Sequence, residues 1–321
     1  MKDISISIIV PCFNESNNIK NFYDTMIGYG GGQLENISQN SIKNFDYEII
    51  FVDDGSTDSS IEEIKKIKAL DKNIRLIKLS RNFGKEAAML AGLKNSNKEL
   101  ITIMDCDLQD PPSLLYEMID IYVKNDGKLK MIIAKRKNRI GESKFRVYFS
   151  ELFYKINNLI SNVKLISGVR DFRLMDREVL ESIMQVNEYH RFSKGIFEFI
   201  GYEKKYLEYE YIDRNEGESK WSFLKLLSYG IGGIISFSIT PLRIITFIGI
   251  LIFLFASIYG SYMLISTLMF GNPVKGYTSL IVLISFFGGL QIIMIGIIGE
   301  YIGKIYEQSK NRPHYFIEYQ D

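Results

Sequence analysis

The sequence predicts an α/β protein with a doubly wound, mainly parallel sheet, followed by an interfacial segment and a two-helix transmembrane hairpin. Three observations predict it. Short runs rich in Ile and Val alternate with helix-length stretches through the first half of the chain. A polar cluster directly follows each early apolar run. Two long stretches in the last third contain no Asp, Glu, Lys, Arg or His.

ISISIIV (Ile4–Val10) reads as the first strand, and NESNNIKNFYDTMIGYG as a helix starting near Asn14. GGGQLENISQNSIKNF, from Gly30 to Phe45, is rich in Gly and Asn without a period; it is expected to be a mobile surface loop with no catalytic part. YEIIFVDD (Tyr47–Asp54) is the next strand, and the DGSTD turn leads into a helix over Ser59–Leu70. NIRLIKLS (Asn73–Ser80) and ELITIMD (Glu99–Asp105) are strands flanking a helix from about Gly84 to Asn95, and KMIIA (Lys130–Ala134) is a further strand. Strands this apolar, separated by helices, form a parallel sheet covered on both faces. Ligands of such sheets bind at the carboxyl ends of the strands. PCFNE, VDDGSTD, LSRNFGKE and DCDLQDPP all stand there. The basic stretch KRKNRIGESKFR (Lys135–Arg146) leads into an amphipathic helix carrying Phe145, Phe149, Phe153 and Ile156. Charge alone leaves two readings of that stretch, a solvated loop or a phosphate clamp close to anionic lipid.

No Asp, Glu, Lys, Arg or His occurs from Ile244 to Val274 or from Gly276 to Gly299, and each run exceeds the ~20 residues that span a bilayer. The expected divisions are a catalytic domain over 1–222, an interfacial segment over 223–243, spans over 244–270 and 277–302, and a cytoplasmic tail over 303–321. Lys220, Lys225 and Arg243 precede the hairpin and Lys304, Lys310 and Arg312 follow it, whereas the turn carries only Lys275. The positive-inside rule then puts the large domain on the cytoplasmic side of the cell membrane. MKDISISIIVPCFNE lacks the layout of a cleaved leader, so none is expected.

Lys and Arg number 39 against 38 Asp and Glu, a formal charge of +1 that argues against a nucleic-acid partner. The 2 cysteines, Cys12 and Cys106, are expected as free thiols, and 2 His with 2 Cys lack the spacing of a thiolate metal site.

DCDLQDPP crowds Asp105, Asp107 and Asp110 into one turn, so the like charges need a compensating cation or water. Asp105 and Asp107 with Gln109 could hold Mg2+ or Mn2+ while a diphosphate supplies further oxygens, and such an ion would neutralise the diphosphate as it departs. Asp53 and Asp54 end the second strand, a common place to read a nucleotide's ribose or base. A soluble domain held at a membrane suggests a water-soluble donor meeting a lipid acceptor.

PCFNE, VDDGSTD, RNFGKEAA, DCDLQDPP, GVRDFRLMDR and RNEGESKW together resemble the family 2 inverting glycosyltransferases, in particular the bactoprenol (undecaprenyl) phosphate glucosyltransferase and dolichyl-phosphate mannose synthase group. The resemblance implies a GT-A type fold, a doubly wound mixed sheet that is mainly parallel. It also implies transfer of a sugar, glucose from UDP-glucose above all, from a nucleotide diphosphate to polyprenyl phosphate, with inversion. Residue by residue, it implies nucleotide-sugar contacts from Pro11, Asn14, Glu15, Asp53, Asp54, Lys85 and Asp105. It places the metal on Asp105, Asp107 and Gln109, and catalytic carboxylates at Asp107 and Asp171. Arg136, Arg139, Arg214, Ser219 and Lys220 are the implied contacts for acceptor phosphate or diphosphate. His190 and Arg191 resemble a family segment to which no role is attached. Relatives of this kind can assemble as homo-oligomers. Other donors, UDP-GlcNAc, GDP-mannose or an amino sugar, suit the same motifs. A processive synthase is disfavoured because the single Trp221 lies in GESKW, outside any QxxRW segment. A tethered nucleotide-sugar binding scaffold without turnover stays as the non-enzyme alternative. Lipid phosphate is largely deprotonated at neutral pH, so Asp171 is expected to orient the sugar or a basic partner rather than to remove a proton.

Overall fold

The structure is a computed structural model that describes residues 2–27, 42–137, 144–161, 163–210, 235, 237–270 and 276–321. Its first strand, β1 (Lys2–Cys12), pairs in parallel with β2 (Ile42–Asp53) on one side and with β4 (Leu100–Ile103) on the other, while β2 pairs in parallel with β3 (Ile74–Leu79). These are the strands that the apolar runs predict, and both faces are buried. Ile6, Ile8, Val10 and Phe51 face one core, and Ile9, Ile50, Val52 and Ile77 the other. The first core is closed by α1 (Ser16–Ile27), α2 (Ser60–Leu70) and α4 (Ser113–Lys124), through Phe22, Ile64 and Met118 among others. The second is closed by α3 (Lys85–Lys94), α6 (Arg177–Gln185) and α7 (Ser193–Phe199). A Cβ on Gly92 would sit 2.2 Å from Ile9 Cγ2, so glycine lets α3 lie directly on the sheet.

Three strands do not appear in the sequence reading. β6 (Val169–Asp176) runs antiparallel between β4 and β5 (Met131–Arg136), and β7 (Lys204–Tyr209) pairs in parallel with β5. Because β6 is reversed, its first residues lie at the carboxyl ends of β4 and β5. This places Arg170 and Asp171 beside the DCDLQDPP turn. The third is β8 (Ile317–Gln320), antiparallel on β3, which completes the order β7-β5-β6-β4-β1-β2-β3-β8. The expected tail over 303–321 is thus part helix and part strand. Asp321 fixes its end, pairing with Lys68 and accepting from Leu76 N at 2.9 Å. The expected loop Gly30–Phe45 lies outside the described residues from 30 to 41; its last residues belong to β2, which starts at Ile42 because that segment pairs with the start of β1.

β1 and β4 pair as neighbours, and Cys12 and Cys106 are both buried and free, as expected. After α5 (Lys144–Ile160) and α7, the chain enters α8 (Thr240–Phe270) and α9 (Tyr277–Ser309). Thr240–Tyr259 and Phe286–Ser309 have mean hydropathies of 2.3 and 1.6, and neither is buried inside the protein. A core helix of this length would be covered; these are long and apolar enough to cross a membrane. Pro241 stands in the first turn of α8, where its missing N–H is not needed. The hairpin is rooted on α5: Ser161 Oγ donates to Phe237 O at 3.2 Å, Thr240 Oγ1 donates to Ile160 O at 2.7 Å, and Tyr301 Oη to Ser238 O at 2.7 Å.

Candidate functional site

The polar turns predicted from the sequence meet at the carboxyl edge of the sheet. Asn14, in the left-handed region at φ 54°, donates its N–H to Ser56 Oγ at 2.9 Å and accepts from Thr57 N at 2.9 Å. Asn tolerates that backbone better than most residues. Glu15 N donates to Ser60 Oγ at 2.9 Å, so PCFNE and DGSTD form one surface beside Pro11. Asp53 accepts from Ser56 N at 3.1 Å, and Asp54 accepts from Phe83 N at 2.7 Å and Gly84 N at 2.9 Å. Both carboxylates are buried, and burial pushes both pKa values up against these hydrogen bonds. The sequence reading expects them to touch a nucleotide. In the structure both carboxylates brace turns at this edge, and Asp54 holds the N–H groups just before Lys85.

Lys85 opens α3, and its Nζ lies 2.7 Å from Asp105 Oδ1 and 2.8 Å from Asp171 Oδ2. Three residues from three separate motifs therefore form one ion cluster. Burial favours the neutral forms, but Asp105 and Asp171 outweigh it and hold the ammonium above its ordinary range. Burial likewise opposes ionisation of Asp171; Lys85 first, then Lys194 and Arg173, hold its carboxyl well below the usual range. A group so firmly ionised is a poor proton acceptor near neutral pH.

The rest of DCDLQDPP resolves the crowding of its charges. Leu108 takes φ 54°, and Gln109 N donates to Asp107 Oδ1 at 3.2 Å, which closes the turn. Asp110 is buried, accepts from Tyr209 Oη, and lies 3.7 Å from both Arg136 Nη2 and Arg170 Nε. Burial raises its pKa, opposed most by Arg170. Arg136 Nη2 and Arg170 Nη2 both donate to Gln109 Oε1, at 3.3 and 3.1 Å. Each acid thus has its own compensation: a lysine, a turn, or a pair of guanidinium groups.

Among the described residues, no group of three or more His, Cys, Asp and Glu side chains is arranged to hold a metal alone. The donor set nonetheless suits a hard ion shared with a ligand. Asp105 and Asp107 are partly exposed at the edge, and Mg2+ typically takes one or two carboxylates plus phosphate oxygens. Gln109, the third expected ligand, would have to exchange its two arginine partners.

Arg139, Arg214, Ser219 and Lys220 lie outside the described residues. Pro11, Asn14, Glu15, Lys85, Asp105, Asp107, Gln109, Arg136 and Asp171 all stand on this edge. The sequence reading gave no role at the site to Tyr209, and weighed Arg170 and Arg173 only as structural salt-bridge partners of Asp171. Arg173 is buried, stacks 3.5 Å above the centre of the Phe197 ring, and donates to Asp171 O at 3.1 Å and Arg170 O at 2.7 Å, fixing the start of β6. Charged residues interrupt the apolar ones in VRDFRLMD and KKYLEY, so neither segment carries a clean strand period.

Residues 7–184 match the model of glycosyl transferase family 2, and residues 240–305 match that of the GtrB C-terminal hairpin. The chain is 41% identical over 318 residues to the putative glycosyltransferase CsbB of Bacillus subtilis (strain 168), covering 99% of this chain and 92% of that one. It is 40% identical over 315 residues to the bactoprenol glucosyl transferase of Shigella phage SfV, covering 98% of each. The prophage bactoprenol glucosyl transferase homolog of Escherichia coli (strain K12) is 39% identical over 315 residues, covering 98% of this chain and 99% of that one. With its GT-A sheet, its acidic turn at the carboxyl edge and its apolar hairpin, this chain belongs to glycosyl transferase family 2 and is a glycosyltransferase.

Proposed function

We propose that the chain transfers glucose from UDP-glucose to polyprenyl (undecaprenyl) phosphate at the cytoplasmic face of the cell membrane, with inversion and with Mg2+ or Mn2+. The observation that carries this reading is the joining of two features in one chain. The acidic turn lies at the carboxyl edge of the sheet, and two membrane-length helices leave the same domain by way of α5. On α5, Leu152, Ile156 and Leu159 are exposed apolar side chains on the helix whose end roots the hairpin. The names of the Shigella phage relatives support glucose and bactoprenol as donor sugar and acceptor.

Asp105 and Asp107 would hold the divalent ion, which when bound offsets the charge that grows on the departing diphosphate. Lys85 and the Arg136–Arg170 pair add fixed positive charge on the same edge, where they favour a phosphate group over water. Asp171, kept ionised by Lys85, orients sugar hydroxyls. The attacking lipid phosphate needs little proton removal, because its second pKa is near ~6. Positioning and charge neutralisation then do most of the chemistry.

The test is a panel of labelled UDP-glucose, UDP-GlcNAc and GDP-mannose offered to the purified full chain with undecaprenyl phosphate and Mg2+. Label from UDP-glucose is expected in the organic extract, and chelation is expected to stop its appearance until Mg2+ or Mn2+ is restored. UDP binding without label in lipid from any donor would select a binding scaffold and overturn the proposal.

A further inference from the structure

His190 and Arg191 have no part in the site above, yet the segment that holds them ties the second apolar helix to the residue next to Lys85. At one end, Gln308 of α9 clamps the backbone between α6 and α7. Its Oε1 accepts from Tyr189 N at 2.6 Å, and its Nε2 donates to Asn187 O at 2.7 Å. His190 Nε2 pairs with Glu307, one residue before Gln308. The Tyr189 ring stacks at 5.8 Å on His314, which follows α9, and stands edge-on to His190 at 5.2 Å. Arg191 Nη1 donates to Val186 O at 2.6 Å and closes the segment on itself.

At the other end, Ser193 opens α7 and donates both its N–H, at 3.2 Å, and its hydroxyl to the carboxylate of Glu86. Glu86 is the second residue of α3, directly after Lys85. The first turn of α3 is therefore held from two sides, by Ser193 through Glu86 and by Asp54 through the N–H groups of Phe83 and Gly84. A side chain that must bridge two carboxylates from different strands gains from such restraint, because rate falls steeply when a charged group is misplaced.

We propose that residues 186–193 form a link through which the second membrane-length helix positions Lys85, so that His190 and Gln308 are positioning residues for a reaction they do not touch. The inference rests on the transferase reading above. It gives a use to the contacts between the 186–193 segment and α9: Lys85 is aligned from a helix long and apolar enough to enter the lipid phase. Coupling of this kind travels through packed, hydrogen-bonded elements and is shown only by measurement of its effect at the far end.

The experiment uses the full chain in lipid nanodiscs. Gln308→Ala removes the clamp at the helix end, and Ser193→Ala cuts the link at the α3 end. Both are expected to lower kcat by about fivefold, while KM for nucleotide sugar and for lipid phosphate stays within about twofold. His190→Ala is expected to behave alike, and His190→Gln, which keeps a donor toward Glu307, to restore most of the rate. Hydrogen exchange of the backbone over residues 81–90 is expected to quicken in both Gln308→Ala and Ser193→Ala, with residues 113–124 unchanged. An unchanged kcat, an effect confined to KM, or faster exchange in 187–193 alone overturns the link. A chain that moves no sugar to lipid fails the transferase reading instead, and the exchange measurement still decides the link.

Discussion

Lys85 is where charges from three parts of the chain meet, and its behaviour sets the expectations at the residue scale. Replacing it by Met leaves Asp105 and Asp171 without their shared cation; turnover is expected to fall by about 10²–10³, the scale of losing one preorganised charged donor. Rapid-quench kinetics with saturating donor checks this. Asp171, held below the usual carboxylate range, stays ionised across the working pH. Its depressed pKa contributes stability that is fully present above about pH 4 and is lost as the pH falls below it. The acid limb of turnover is therefore expected near pH ~6, from the lipid phosphate. Asp171→Asn is expected to reduce kcat by about 10²-fold and leave that limb in place. A limb that moves in the variant would identify Asp171 as the titrating base. Lys85, Asp105 and Asp171 were readable because each lies in a short motif. Arg170 and Tyr209 were not, because their shared partner, Asp110, lies far along the chain; Arg173 was not, because its guanidinium is buried against the distant Phe197 while it braces the start of its own strand.

Elements with their own signal were legible, and those that depend on a neighbour were not. The apolar runs of β1 to β5 announce themselves, since a strand buried on both faces must be apolar throughout. β6 carries Arg170, Asp171 and Arg173 among its apolar residues, and β8 is four exposed residues, IEYQ, that become a strand only against β3. The turn after β2 shows the reverse case, in which one residue's backbone is dictated locally. Gly55 has φ 73°, and a Cβ there would lie 2.6 Å from the carbonyl carbon of Arg81. Gly55→Ala is expected to destabilise the domain by about 1–3 kcal/mol and to loosen the Arg81–Lys85 loop; denaturant melting read beside turnover measures both. Deleting residues 316–321 uncovers the edge of β3, so the shortened chain is expected to self-associate, which light scattering reports.

Across the whole molecule, the apolar stretches Thr240–Tyr259 and Phe286–Ser309 are not buried inside the protein and are long and apolar enough to cross a membrane. Ile292, 72% exposed in the middle of α9, is the test position. A lysine there is expected to disfavour insertion by about 2.5–3.5 kcal/mol and to move the protein out of the carbonate-resistant membrane fraction. Because the chain returns from α9 to pair with β3, the hairpin is fastened to the catalytic sheet at both ends: through α5 at its entry, and through the 187–193 segment and β8 at its exit.

By itself the sequence determined the parallel strands, the polar clusters at their ends, the two apolar helices and the residue types of the acidic site. Each of these follows from local periodicity or from charge, which need no partner to be read. Tertiary structure alone decided that β6 runs backwards and brings Asp171 to Asp105, that Lys85 joins them, and that the final residues close the sheet. Those outcomes depend on pairing between segments far apart in the chain, where register and charge compensation come from the partner rather than from the segment.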